Sequence, residues 1–171
     1  MKLPHTQKGF TIIELLLYVS IAGVILLSVS GFLSTLLESR VKNQTIAEVE
    51  QQGTQAMQMM TQTLRNGVSI TTPAFSATSS MLLLTTPTSA NNPTIFSLFG
   101  GALQMKEGAQ ATTSLTNARV SVSGLVFSNL SATSTIGTTT RIRFTITSVA
   151  PTGRQEYSYA EIFTGSATLR P

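Results

Sequence analysis

Glu14 is the residue of this chain that most calls for a chemical explanation. It stands just inside the start of an apolar run that extends to Leu37. A carboxylate in a membrane-spanning helix costs about 2.5–3.5 kcal/mol at the centre and less near an end, so it points to a function and a partner. The partner read here is the amino group that cleavage after Gly9 would create on Phe10. Ionic pairing of carboxylate and chain-start amine is the chemistry these residues could do. Within one helix the amine would lie about one turn from Glu14. Low dielectric strengthens that attraction and desolvation offsets much of the gain. The alternative is a carboxylate solvated at the level of lipid headgroups.

The element that positions Glu14 is read from composition. Leu15 to Leu37 contains no charge, and its polar residues are Tyr18, Ser20, Ser28, Ser30, Ser34 and Thr35. At ~1.5 Å per residue the run is ~35 Å long, enough to cross a ~30 Å hydrocarbon core with some tilt. No proline stands between Pro4 and Pro73. The competing assignment is a buried helix of a soluble protein, which this length and polarity disfavour.

Met1 to Gly9 carries Lys2, His5 and Lys8 and no acid. Positive charge ahead of a membrane segment keeps that end in the cytoplasm. A secretory signal places its small-residue cleavage site after the apolar centre. Here the small residue, Gly9, precedes it, so a cut would remove the basic leader and keep the helix.

At these residues a resemblance becomes specific. Lys8-Gly9-Phe10-Thr11-Ile12-Ile13-Glu14-Leu15-Leu16 resembles the type IV prepilin signal shared by type IV pilins, type II secretion pseudopilins and competence pseudopilins. The resemblance implies cleavage between Gly9 and Phe10 by prepilin peptidase, a membrane-embedded aspartyl enzyme, and N-methylation of Phe10. It also implies that Glu14 is the glutamate that sets assembly register. The implied partners are prepilin peptidase, other pilin or pseudopilin subunits in a homo- or hetero-polymer, an inner-membrane assembly platform with its ATPase, and membrane lipid. The implied location is a single-pass membrane protein with a cytoplasmic leader and an extracytoplasmic C-terminal domain, reaching a cell-surface or periplasmic filament after assembly. One departure stands out: many type IV pilins carry a mid-helix proline where this chain has Gly31. Glycine costs a helix about 1 kcal/mol relative to alanine, a weaker break than proline. Gly23 and Gly31 are compatible with local melting and with close approach of neighbouring helices, and close packing is favoured.

Beyond Leu37 the chain turns polar through Glu38, Arg40 and Lys42. Ile46, Val49, Gly53, Met57, Met60 and Leu64 then recur every three or four residues, predicting an amphipathic helix with a narrow apolar stripe. The helix is expected to end at Arg65-Asn66-Gly67, with Gly67 as the cap. Phe10 to Asn66 reads as one helix of ~85 Å, its first half in lipid and its second half packed on a domain. The methionines suit core packing better than an open partner groove.

Val68 to Pro171 reads as β structure. Strands are predicted at Met81–Thr86, Thr94–Phe99, Ala102–Lys106, Ala118–Leu130, Thr140–Val149 and Gln155–Thr164. Gly100-Gly101 signals a two-residue hairpin, and Gly124 a bulge between Val122 and Leu125. Ile142, Phe144 and Ile146 should face the core. Pro87 to Pro93 and Ser131 to Thr139 read as loops. A strand near Val122–Phe127, an alternating strand like Arg141–Ile146 and a chain end at Ala167-Thr168-Leu169-Arg170-Pro171 also resemble minor pilins and pseudopilins, more loosely.

The fold class is therefore α+β, a long N-terminal helix on an antiparallel β-sheet domain, pilin-like. The organisation is a leader at 1–9, a membrane or filament-core helix at 10–37, its amphipathic continuation at 38–66 and an extracytoplasmic β-rich domain at 67–171.

Composition limits the remaining chemistry. Only 11% of residues are charged, against ~25% in an average domain. The formal charge of +4 falls to +2 once Lys2 and Lys8 leave with the leader. Arg119, Arg141, Arg143 and Arg154 could form a patch, but solvated strand faces are the simpler use, and nucleic acid is not favoured as a partner. The chain has no cysteine, no aspartate and a single histidine, His5, in the leader. That excludes a disulfide and a zinc cluster and leaves no base for a nucleophile. Glu107, Glu156 and Glu161 are too scattered for a calcium site. No cofactor, metal or catalytic residue is expected. Many major type IV pilins close a C-terminal loop with a disulfide, so the resemblance without cysteine favours a minor pilin or pseudopilin, a structural subunit and not an enzyme. The alternatives are a tip subunit for adhesion or DNA uptake and a membrane-anchored domain that never polymerises.

Overall fold

The computed structural model describes residues 9–132, 137–149 and 157–169. The leader before Gly9, part of the Ser131–Thr139 loop, Arg154, Gln155, Glu156 and the terminal Arg170-Pro171 lie outside the described residues. Backbone contacts divide the chain into two units, Met1–Arg40 and Val41–Pro171.

One helix, α1 (Ile12–Arg65), begins in the first unit and ends in the second. It starts two residues later than the sequence suggests because Thr11 acts as its N-cap. The Thr11 carbonyl accepts from the Glu14 and Leu15 N–H groups, both at 3.1 Å. Among the described residues α1 is the helix long and apolar enough to cross a membrane, and the apolar stretch that qualifies it has no buried residue. Four of the hydroxyls there are satisfied by the helix backbone: Ser20 donates to Leu17 O, Ser28 to Val24 O, and Ser34 and Thr35 to Gly31 O. Hydroxyls bonded back to their own helix are suited to a medium that offers no hydrogen bonds.

Among the described residues of the second unit, nine strands form two antiparallel sheets. They are β1 (Ser69–Thr72), β2 (Thr78–Ser79), β3 (Leu82–Thr85), β4 (Thr94–Phe99), β5 (Ala102–Glu107), β6 (Thr113–Ser114), β7 (Val120–Asn129), β8 (Thr139–Ser148) and β9 (Ala160–Thr168). The five-stranded sheet runs β1-β3-β4-β5-β6 and the four-stranded sheet β2-β7-β8-β9. Val49, Gly53, Ala56, Met60 and Leu64 are the buried face of α1. They share one core with Leu82, Leu84, Phe96 and Leu103 of the first sheet and Val122, Phe127, Ile142, Phe144 and Ile146 of the second. The methionine stripe is thus core: Met60 is fully buried, and Met57 packs against the same cluster.

The expected β4–β5 hairpin forms, with Phe99 opposite Ala102 and both Gly100 and Gly101 at positive φ, the combination a two-residue primed turn requires. The β7–β8 register shifts between Ser123 and Val126, with Gly124 at φ 60. That bulge lets Val120 and Val122 point inward before it and Leu125 and Phe127 after it.

The expectations for the last strand and for Gly67 need correction, and one loop gains a detail. The last strand is Ala160–Thr168, displaced toward the C-terminus from Gln155–Thr164, because β9 is fixed by pairing along β8 from Thr139↔Thr168 to Thr147↔Ala160. The Pro87–Pro93 loop holds a 3-10 turn at Ser89–Asn91. Gly67 does not take the left-handed conformation of a glycine cap; its N–H donates to Leu64 O at 3.1 Å, tightening the last turn. Glycine is needed there because a Cβ would collide with the Leu84 side chain.

Candidate functional site

The first turn of α1 carries the candidate site. Gly9 and Phe10 precede the helix, both exposed, and nothing lies within 4 Å of where a Gly9 side chain would be. Phe10 is 76% exposed. The peptide between them is open to an external catalyst, with no folded structure of the described residues to unpack first.

Glu14 is the third residue of α1, and Thr11 caps it: Glu14 N–H also reaches Thr11 Oγ1, at 3.4 Å. Thr11-Ile12-Ile13-Glu14 has the Ser/Thr-x-x-Glu spacing of a capping box, a helix-start signal visible in the sequence. A carboxylate in the first turn also meets the positive end of the helix dipole, worth about 0.3–1 kcal/mol at exposed sites.

The Glu14 side chain is not unpartnered. Tyr18 Oη donates to Glu14 Oε1 at 3.2 Å, across one turn. The Phe10 ring meets the Tyr18 ring edge-on, with centroids 6.2 Å apart and planes at 73°. Glu14 is half-buried while its flanking residues from Thr11 to Ser20 are exposed. Phe10, Glu14 and Tyr18 therefore share one face. Sequence reasoning counted Tyr18 as a polar residue of the run; the i, i+4 spacing to Glu14 was the signal that could have paired them.

Residues 4–30 match the prokaryotic N-terminal methylation motif. That motif is the signature of type IV pilins and pseudopilins, and it contains Gly9, Phe10, Glu14 and Tyr18. No curated protein and no solved structure matches the chain. The match is confined to the start of the chain; it supports a type IV pilin-like or pseudopilin precursor and, with the apolar helix, fits a membrane-anchored single-pass protein. It points to a structural subunit in place of an enzyme.

Among the described residues, Arg119 does not converge with Arg141 and Arg143. Arg119 is 80% exposed at its side chain and lies 3.8 Å from Glu48, a loose surface pair of small worth. Arg141 and Arg143 stand side by side on the outward face of β8, opposite Ser128 and Val126 of β7 and Ser166 and Thr164 of β9. Val149 N–H donates to Arg119 O, which places Arg119 six residues along from Arg143, ~20 Å of strand. Arg154 lies outside the described residues.

Proposed function

We propose that this chain is a structural subunit, a minor pilin or pseudopilin, of a type IV pilus-like filament. Prepilin peptidase cleaves between Gly9 and Phe10 and methylates Phe10. The apolar segment from Phe10 to Leu37 lies in lipid and then exchanges lipid for neighbouring helices in the filament core. Residues 38–66 continue it onto the extracytoplasmic β domain at 67–171. The assembly platform draws the subunit from the membrane, and Glu14 sets its axial register by meeting the Phe10 amine of a neighbour.

The observation that carries this reading is the methylation motif laid over an exposed Gly9–Phe10 peptide and an apolar helix that begins two residues later. Removal of the leader leaves the helix intact, so the product stays anchored while gaining a cationic start. Replacing Glu14 by Ala tests the register claim. Membrane levels should be unchanged and incorporation into sheared filaments should fall by more than about tenfold, the ratio that ~1.4 kcal/mol of affinity represents. Normal incorporation would remove Glu14 from assembly.

A second reading, a tip subunit that binds a polyanion such as DNA, draws on Arg141 and Arg143, whose strand neighbours are uncharged. Salt-sensitive DNA binding lost in an Arg141→Ala, Arg143→Ala double variant would favour it.

A further inference from the structure

Tyr18 uses its hydroxyl differently from the other hydroxyl residues bonded along the apolar part of α1. Ser20, Ser28, Ser34 and Thr35 each return their O–H to a backbone carbonyl of the preceding turn. Tyr18 reaches back one turn and gives its O–H to Glu14 Oε1 at 3.2 Å. Its ring also meets the Phe10 ring in a T-shaped contact, with centroids 6.2 Å apart. The phenol thus meets the one carboxylate of the run while a second aromatic ring braces it. Edge-to-face aromatic contact and a hydrogen bond to a charged acceptor each restrict rotamers that would otherwise swing freely on an exposed helix.

We propose that Tyr18 is the positioning residue of the Glu14 carboxylate, its O–H occupying one oxygen along the helix surface and leaving the other turned outward for the amine of an incoming subunit. The inference rests on the filament reading above and goes beyond it by naming what holds Glu14 before a neighbour arrives. A carboxylate facing lipid with no donor would either be driven toward the headgroups or lose its charge. Tyr18 keeps it one turn into the helix as an acceptor. The amine then needs only to bond an oxygen already in place, so the ordering cost at the moment of assembly is reduced. The Tyr18 hydroxyl is directed at Glu14 and its ring at Phe10, so removing the hydroxyl alone leaves the ring contact beside the cleavage site in place.

The test uses the full chain and the variant Tyr18→Phe, which keeps the ring against Phe10 and removes only the donor. Membrane insertion and leader removal should match the parent, while filament incorporation falls about fivefold, the scale of one net hydrogen bond. Parental incorporation, or a loss of insertion or cleavage, would overturn the proposal. A second measurement does not depend on filaments. In the precursor carrying 13C-labelled tyrosine, in detergent micelles, the Tyr18 Cζ resonance should move when Glu14 is replaced by Ala, with Tyr157 and Tyr159 as internal references. An unmoved Tyr18 resonance would overturn the pairing. If Glu14→Ala moves that resonance yet incorporates normally, the pair exists and the register reading is what fails.

Discussion

Gly53 faces the ring of Phe163 so closely that a Cβ on Gly53 would overlap the ring atoms. Phe163 cannot swing aside freely, because its other face stacks on Phe144 with centroids 5.5 Å apart. The approach of α1 to β9 is set by the absence of a side chain at this one helical position. Gly53→Ala should therefore destabilise the protein even though alanine favours a helix by about 1 kcal/mol. Overpacking costs about 1–3 kcal/mol, so a net loss of about 1 kcal/mol is expected, read as a lowered unfolding midpoint of the full chain in micelles. An unchanged or raised midpoint would mean that the ring gives way.

Thr140 supplies the opposite case. It is fully buried on β8, and its Oγ1 has no hydrogen-bond partner among the described residues. A buried hydroxyl without a partner costs about 1–3 kcal/mol that a methyl group of similar size does not. Thr140→Val should leave stability unchanged or raise it by about 1 kcal/mol. A clear loss in thermal unfolding would reveal a partner for this hydroxyl.

The elements that were legible from sequence are those in which side-chain period and burial agree. Arg141 to Ile146 alternates, and Ile142, Phe144 and Ile146 are fully buried. Val120 and Val122 fit one phase and Leu125 and Phe127 the other, with Gly124 at the break, so the bulge could be read from the phase change. β9 had no such signal: it contains Thr164, Gly165 and Ser166 where a core strand would carry bulky residues, and it is placed by its neighbour β8. The short strands Ser69–Thr72, Thr78–Ser79 and Thr113–Ser114 went unread because Ser and Thr dominate them and each pairs with a single neighbour at a sheet edge. At the candidate site, Gly9, Phe10 and Glu14 were visible through their order along the chain. Tyr18 and Thr11 were not, because their roles depend on helical geometry, which brings residues three and four apart together.

Tyr159 gives the fold a response to high pH. Its hydroxyl donates to Glu161 Oε2 at 3.4 Å, and its titration is raised above the usual 10.0, first by burial and then by the charges of Glu161 and Glu50. The folded state holds the phenolic proton more tightly than the unfolded chain does. The resulting stability is fully present below pH 10 and is lost as pH rises through the higher native value. Glu161→Gln should bring the Tyr159 midpoint down toward 10 without reaching it, because burial remains. Phenolate absorbance during alkaline titration checks this, and a midpoint unmoved by Glu161→Gln would exclude the carboxylate as a cause.

The pairing model also predicts how Glu14 tolerates replacement. Glu14→Gln keeps the shape and an acceptor oxygen for Tyr18 but removes the charge. If register depends on the ion pair, this variant should insert normally and incorporate into filaments nearly as poorly as Glu14→Ala. Incorporation at the parental level would show that a neutral hydrogen bond suffices.

The start of the mature chain tests the central claim most directly. Mass spectrometry of the protein purified from cells with an active prepilin peptidase should give a chain beginning at N-methylated Phe10, with residues 1–9 gone. A chain that still carries its leader in those cells would leave Glu14 without its amine and contradict the account.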